Sequence, residues 1–146
     1  MLQLSPSPAT TPVTAWFNGG PGCSSLEGGF QEMGALFVDE ADPTKLVANP
    51  FAWTNISSML FIEAPACVGY SYADTLAGCS HNDSSQAVDN AAALRVFFSL
   101  YPELAANDFF ITGESVRLTR STLRPPAALA TATQTALTPN RPRAPP

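Results

Sequence analysis

Ser115 follows a buried-strand pattern and is the first candidate for chemistry. It ends the stretch DFFITGES, whose apolar residues predict a strand and whose Gly113 stands two residues before the serine. A nucleophile elbow needs small residues two before and two after its serine, so that the strand and the next helix can approach. Gly113 meets the first requirement, but Arg117 does not meet the second. Taken alone, this half-match favours an ordinary turn over a catalytic site.

A glycine-rich loop, NGGPGCSS at Asn18–Ser25, is the second candidate. Its three glycines leave backbone N–H groups free to face an anion or a developing oxyanion. Short glycine-rich runs are weak signals, so composition alone favours a turn without a ligand. Together, however, a glycine loop after one strand and a Gly-x-Ser turn after a later strand are what a serine hydrolase on an α/β sheet requires.

The elements that must position these residues are short apolar runs and one periodic segment. Three buried strands are predicted, at Val13–Phe17, Ser58–Glu63 and Asp108–Thr112. A helix capped by Asp83 or Ser84 follows the second strand, with apolar residues at a 3.6-residue period up to Tyr101. Ser25–Gly34 is expected to be a short helix, and Asp39–Trp53 an irregular excursion. Strand, helix and strand in this order predict a βαβ unit and an α/β sheet.

Three regions are expected along the 146 residues. Residues 1–12 are rich in Ser, Pro and Thr and are predicted to be a disordered leader, and residues 13–115 form the folded body. Residues 116–146 are rich in Pro, Ala, Thr and Arg and are predicted to be a disordered tail. Charge follows this division, because residues 1–115 hold two basic and twelve acidic residues, whereas the tail holds five arginines and no acid.

Composition also excludes several function classes. An acidic body argues against nucleic-acid binding, which needs clustered Lys and Arg. No apolar run reaches the length of a membrane span. The N-terminus lacks the basic start and continuous apolar core of a secretory signal. The three cysteines, Cys23, Cys67 and Cys79, fit no metal-ligand spacing, so neither a metal nor another cofactor is expected.

Four segments carry a resemblance to a known family: TAWFNGGPGCSSLEGGFQEMGAL, NPFAW, MLFIEAPACVGYSYADT and FFITGES. Their order and spacing resemble the serine carboxypeptidases, enzymes of the α/β-hydrolase fold that remove C-terminal residues from peptides. The resemblance covers about residues 13–115 and only an early portion of a family member. It implies a partial α/β-hydrolase fold, an incomplete mixed sheet with flanking helices, and a peptide or protein C-terminus as substrate.

The resemblance also implies a role for each matching residue. Ser115 is the acylating nucleophile, and the backbone N–H groups of Gly20 and Val116 form the oxyanion hole, although the family usually has Tyr at the latter position. Five residues are implied to bind the free carboxylate of the substrate: Trp16, Asn18, Gly19, Glu32 and Glu114. Without the resemblance, Trp16 would be interpreted as core and Glu32 as a solvated helix residue.

Two facing glutamates have a chemical consequence for a carboxylate ligand. Three carboxyl groups repel one another unless protons are shared, so at least one glutamate must have a raised pKa and binding should favour acidic pH. This accords with a family that works in vacuoles, lysosomes or the secreted space. Acyltransferases derived from the family commonly have Asp in place of Glu114, so Glu114 together with Glu32 favours a peptidase.

The pattern fails after Ser115. The α/β-hydrolase order is Ser, then Asp, then His, but no acidic residue follows Glu114, and the single histidine, His81, precedes the serine. His81 is therefore expected to be a surface residue and not the general base. The resemblance also implies that Cys23 lacks its usual downstream partner.

The family continues Tyr-Ala-Gly after the GES motif, whereas this sequence continues Val116-Arg117-Leu118. We interpret the residues from Val116 onward as the product of a shifted reading frame or a retained intron. The expected function is thus that of a serine-type carboxypeptidase. Because this chain lacks the Asp and His, it is expected to be inactive. The alternative is a non-catalytic truncated fragment or a module that binds carboxylates or a partner.

Overall fold

A computed structural model describes residues 1–20 and 22–115. Its centre is a four-stranded mixed sheet with the strand order β1-β5-β2-β6. Strands β2, β5 and β6 are parallel to one another, and β1 is antiparallel to β5. The six strands are β1 Leu2–Gln3, β2 Val13–Phe17, β3 Leu36–Val38, β4 Leu46–Ala48, β5 Ser58–Phe61 and β6 Phe109–Gly113. Because β5 and β6 are parallel strands joined through a helix, the predicted α/β class is confirmed.

The predicted strands are present with small shifts at their ends. The strand predicted at Val13–Phe17 is confirmed, and all five of its residues are buried. A strand that is covered on both faces needs a continuous apolar run, and VTAWF supplies one. Strand β5 ends at Phe61 rather than Glu63, and β6 runs one residue later than predicted.

Helix α1, Asp83–Leu100, covers the sheet. The predicted caps, Asp83 and Ser84, are wrong, because the cap is Asn82. Its side chain accepts a hydrogen bond from the Ser85 N–H at 2.9 Å, and the Ser85 hydroxyl accepts one from the Asn82 N–H at 3.0 Å. This reciprocal capping box satisfies two N–H groups that the helix would otherwise leave unpaired. Leu94 and Phe97 then join Val13, Ala15, Phe17, Leu60 and Phe109 in the core.

Residues 1–12 differ from the predicted disordered leader. Leu2 and Gln3 pair with Leu60 and Met59 of β5. The Asn107 side chain donates to the carbonyl oxygens of Pro8 and Thr11 at 2.7 and 2.8 Å. Composition predicts disorder when a segment cannot bury enough apolar surface by itself. Here the partners lie more than 50 positions away, and a local pattern does not contain them.

The predicted excursion at 39–53 contains part of a hairpin. Strands β3 and β4 pair antiparallel with Phe37 opposite Val47. Their turn is closed by a 2.7 Å ion pair between Lys45 and Asp42. Short helical turns occur at Gly28–Glu32, Trp53–Asn55, Leu76–Cys79 and Pro102–Leu104. No helix in the described ranges is long and apolar enough to cross a membrane.

Candidate active site

The candidate residues meet at the carboxyl ends of β2 and β6. These strands are parallel and in register, with Phe17 opposite Gly113. Parallel strands present their carboxyl ends at one edge of the sheet, where α/β proteins place their sites. The residues that follow Phe17 therefore lie beside those that follow Gly113, and the Glu114 N–H donates to the Phe17 carbonyl at 3.4 Å. Asn18 and Glu114 are hydrogen-bonded although they are 96 positions apart in the sequence.

Ser115 occupies a sharp and strained turn. Its φ of 50° lies in the left-handed region that L-residues rarely adopt. The Gly19 backbone packs directly against it, since a Cβ on Gly19 would stand 2.8 Å from the Ser115 Cβ and 3.4 Å from its Oγ. Ser115 itself is exposed. An exposed serine on a strained turn after a strand is the local geometry of a nucleophile elbow.

The glycine loop folds back on itself next to this turn. The Cys23 N–H donates to the Gly19 carbonyl at 3.1 Å, and the Asn18 N–H donates to the Ser25 hydroxyl at 3.1 Å. Gly20 has a φ of 113°, which a side chain would oppose. Gly20, the predicted oxyanion donor, is therefore the neighbour of the residue that contacts Ser115. Val116, the other predicted donor, lies outside the described residues, as does the predicted tail.

A chain of hydrogen bonds joins three of the residues implied to bind a carboxylate. The Trp16 indole N–H donates to the Asn18 side-chain oxygen at 2.7 Å, and the Asn18 amide nitrogen donates to Glu114 at 3.3 Å. Asn18 is buried. The indole thus fixes which way the amide faces, so that its N–H groups point toward Glu114. Gly28 makes room for this arrangement, because a Cβ there would stand 2.6 Å from the indole nitrogen.

Glu32 completes the set from the end of the π-helical turn Gly28–Glu32. Burial raises the pKa of Glu32 above its ordinary value, the charges of Glu114 and Glu27 raise it further, and a hydrogen bond with Asn18 opposes the shift. The direction is that expected for a carboxyl group that holds its proton beside another carboxylate. The structure therefore brings Trp16, Asn18, Glu32 and Glu114 together beside the Gly19–Ser115 contact.

Glu63 is a residue of this region that the sequence did not indicate. Its carboxylate accepts hydrogen bonds from the Ser24 hydroxyl at 2.7 Å, the Leu26 N–H at 3.1 Å and the Tyr70 N–H at 3.1 Å. The one available signal was an acidic residue at the end of a buried apolar run. A strand pattern that includes Glu63 as its last residue hides that signal.

His81 was expected to be a surface residue, and this expectation is wrong. Its side chain is 8% exposed, with Nδ1 3.8 Å from an Asp89 carboxylate oxygen on α1. The sequence around it is polar, but the ring lies beside helix α1, where Asp89 is its neighbour. The expectation that His81 is not the base for Ser115 stays a prediction.

The cysteines divide into one pair and one free thiol. Cys67 and Cys79 form a disulfide that closes the loop between β5 and α1. Cys23 is free and exposed. Within the part of the chain that the structure describes, no group of three or more His, Cys, Asp or Glu side chains is arranged to hold a metal ion.

Comparisons with known proteins find relatives of this chain. A family model described as serine carboxypeptidase matches residues 1–116. The lysosomal protective protein of Mus musculus is 47% identical over 114 residues, which are 78% of this chain and 24% of that protein. Serine carboxypeptidase 1 of Hordeum vulgare is 39% identical over 119 residues, which are 79% of this chain and 24% of that protein.

A solved structure is similar as well. It is Kex1(delta)p, a prohormone-processing carboxypeptidase from Saccharomyces cerevisiae, with a TM-score of 0.62 and 27% sequence identity. The similarity covers 70% of this chain and 22% of that chain. The chain thus spans 24% of the length of the two curated relatives named above.

Proposed function

This chain belongs to the serine carboxypeptidase family, and on that premise we propose that it binds the free carboxylate of a peptide C-terminus beside Ser115, the acylating nucleophile. Its mixed sheet and covering helix are part of the α/β-hydrolase fold. One observation carries the proposal. Ser115, at a φ of 50°, lies against Gly19 and beside the hydrogen-bonded chain from Trp16 through Asn18 to Glu114.

The binding chemistry follows from the groups in this set. An entering carboxylate meets the Asn18 amide as a donor and two carboxyl groups, Glu32 and Glu114. Three negative charges would repel one another, so binding requires at least one shared proton. The raised pKa of Glu32 supplies that proton over a wider range of pH than an ordinary glutamate would. Affinity for the carboxylate should therefore increase as pH falls.

The proposed reaction of the whole protein is acyl transfer followed by hydrolysis. The Ser115 hydroxyl attacks the carbonyl carbon of the last peptide bond, and the N–H groups of Gly20 and Val116 stabilise the oxyanion. The terminal amino acid leaves, and water then hydrolyses the acyl-enzyme. Both steps need a general base, and a serine without one loses most of its acylation rate.

A second candidate function concerns the 146 residues by themselves. The carboxylate-binding set lies within the described residues, whereas the sequence has no histidine after Ser115 to act as its base. The chain alone is therefore expected to act as a carboxylate-binding module without turnover.

One experiment tests both candidates. The purified chain is titrated with N-benzyloxycarbonyl-Phe-Leu, and separately with the same dipeptide as its C-terminal amide, at about pH 4.5 and about pH 7. We expect the acid to bind more tightly than the amide, and more tightly at the lower pH. Equal affinity for acid and amide would refute the proposed carboxylate site. Release of leucine by the chain alone would instead refute the second candidate, that the chain binds carboxylates without turnover.

A further inference from the structure

The Glu63 carboxylate joins two loops that come from different parts of the chain. Glu63 follows β5 by two residues and is half-buried. One of its oxygens accepts from Ser24 and Leu26 at the end of the glycine loop. Its other oxygen accepts from the Tyr70 N–H in the loop between β5 and α1. Hydrogen bonds to an ionised carboxylate are about twice as strong as those between neutral groups.

The segment that Glu63 holds also supports the start of the glycine loop. Ser25 lies between Ser24 and Leu26, is 1% exposed, and accepts the Asn18 N–H. A continuous series of contacts therefore leads from Glu63 through Ser25 to Asn18. From there it reaches Gly19, which packs against Ser115.

The second loop is built around the same carboxylate. Gly69 has a φ of 56°, and a Cβ at this position would overlap the Glu63 carboxylate. The Ser71 hydroxyl braces the same turn by accepting from the Val68 N–H at 3.0 Å. The disulfide from Cys67 to Cys79 closes the loop. This turn is held by its own hydrogen bond and disulfide, and the glycine leaves space for the carboxylate. It can therefore serve as a rigid support for the glycine loop.

We propose that Glu63 is a positioning residue for the carboxylate-binding set. By tying residues 24–26 to the turn at Gly69, it sets where Asn18 and Gly19 stand relative to Ser115. The link to substrate binding rests on the proposed function, whereas the link to the position of the loop rests on contacts alone. The hydrogen bonds to Glu63 come from Ser24, Leu26 and Tyr70 and not from the carboxylate-binding residues, so its effect passes through the loop.

The first test measures amide hydrogen exchange in the ¹⁵N-labelled chain and in Glu63→Gln. The glutamine keeps the size of the side chain but presents an N–H₂ group to at least one N–H donor. We expect exchange about tenfold faster at whichever of Leu26 and Tyr70 faces the N–H₂ group, because each donates to a different oxygen of Glu63. We expect a similar increase at Asn18 and Cys23, whose bonds depend on the loop. Exchange at Leu94 in α1 should not change. If exchange becomes faster at Leu26 or Tyr70 but not at Asn18 and Cys23, Glu63 fixes only its direct donors and the proposal is wrong.

The second test measures affinity for N-benzyloxycarbonyl-Phe-Leu at about pH 4.5. We expect Glu63→Gln to weaken the Kd about tenfold, partial recovery in Glu63→Asp, and no change in Glu40→Gln, which alters an exposed glutamate. An unchanged Kd in Glu63→Gln would overturn the role in binding. If the unaltered chain does not distinguish the acid from the amide, the proposed function fails, and the exchange experiment still decides the role of Glu63.

Ser24→Ala covers the case in which Glu63→Gln unfolds. It removes one of the three donors to the carboxylate and leaves the charge in place. We expect exchange at Asn18 and Cys23 to be a few-fold faster with Leu94 unchanged. Unchanged exchange at both amides in Ser24→Ala would count against the proposal.

Discussion

Replacement of Gly28 by alanine should destabilise the fold and disturb Asn18 at the same time. An added Cβ would stand 2.6 Å from the Trp16 indole nitrogen and 3.0 Å from the Asn18 side-chain oxygen. The indole cannot retreat easily, because Trp16 is buried in a cluster with Met33, Met59 and Phe61. The indole ring is also edge-on to Trp53, at 5.6 Å between ring centroids.

Opposing effects set the size of the change. Overpacking costs about 1–3 kcal/mol, and separating the buried indole N–H from its acceptor costs about 1–3 kcal/mol more. Replacing a glycine by alanine in a helical turn stabilises the fold by only about 1 kcal/mol. The two unfavourable contributions exceed the favourable one, so we expect a loss of about 1–5 kcal/mol in the free energy of unfolding. With a urea m-value of about 2 kcal/mol per molar, the midpoint falls by about 0.5–2.5 M.

The assay combines urea unfolding with the indole N–H signals of the ¹⁵N-labelled chain. The chain has two tryptophans, so two indole signals are expected. In Gly28→Ala the Trp16 indole proton should exchange faster with solvent. Gln31→Ala, an exposed position in the same turn, is the matched control and should shift stability by less than about 0.5 kcal/mol. An unchanged or higher urea midpoint in Gly28→Ala would refute the steric argument.

Three further predictions use urea unfolding. The raised pKa of Glu32 favours folding below its ordinary value of 4.5, and this contribution to stability is lost as pH rises through the raised value. Glu32→Gln should therefore lose less stability than the unaltered chain between about pH 4 and about pH 7. Equal losses of stability in the two proteins would contradict this. Joint replacement of Cys67 and Cys79 by serine should cost about 2–3 kcal/mol for a loop of this length, and an unchanged midpoint would show that the loop is held by other contacts. Gly69→Ala should lower the free energy of unfolding by about 1–3 kcal/mol more than Gly22→Ala. Both positions have a positive φ, but a Cβ at Gly69 would overlap the Glu63 carboxylate, whereas the nearest atom to a Cβ at Gly22 is 3.9 Å away. Equal losses would refute the steric argument.

Continuous apolar runs made the central strands predictable. A strand buried on both faces must be apolar at successive positions, and Val13–Phe17 shows this directly. The helix cap was predicted one or two residues too late, because Asn, Asp and Ser are all good caps. The choice of Asn82 depends on a side chain three positions later, that of Ser85.

Segments whose partners lie far away in sequence were not predictable. The pairing of Leu2–Gln3 with β5 joins residues about 57 positions apart, and nothing in the first twelve residues alternates strongly. For the same reason the β3–β4 hairpin was hidden within a stretch with few periodic residues. Propensity and periodicity report on local structure, and long-range pairing overrides both.

The residues of the site that belong to a family motif could be predicted. The residues that only hold those residues in position could not. Trp16, Asn18 and Glu114 were named from the resemblance, and their hydrogen bonds join them as a group. Glu63 and Gly28 lie within segments that carry the resemblance, but the resemblance implied no role for either residue. Their contributions, a carboxylate that accepts two backbone N–H groups and a missing Cβ, depend on distances that appear only after folding.

The backbone at Ser115 connects the fold to chemistry independently of any resemblance. Among the described residues, two that are not glycine have a positive φ, Cys67 and Ser115. Each such residue costs about 1–3 kcal/mol and persists only where its surroundings require it. Cys67 is bonded to Cys79, which gives it a structural reason. Ser115 has no covalent tie, and its turn is held instead by the β2–β6 ladder and by Gly19, so the strain falls on the one residue whose hydroxyl the proposed acyl transfer requires.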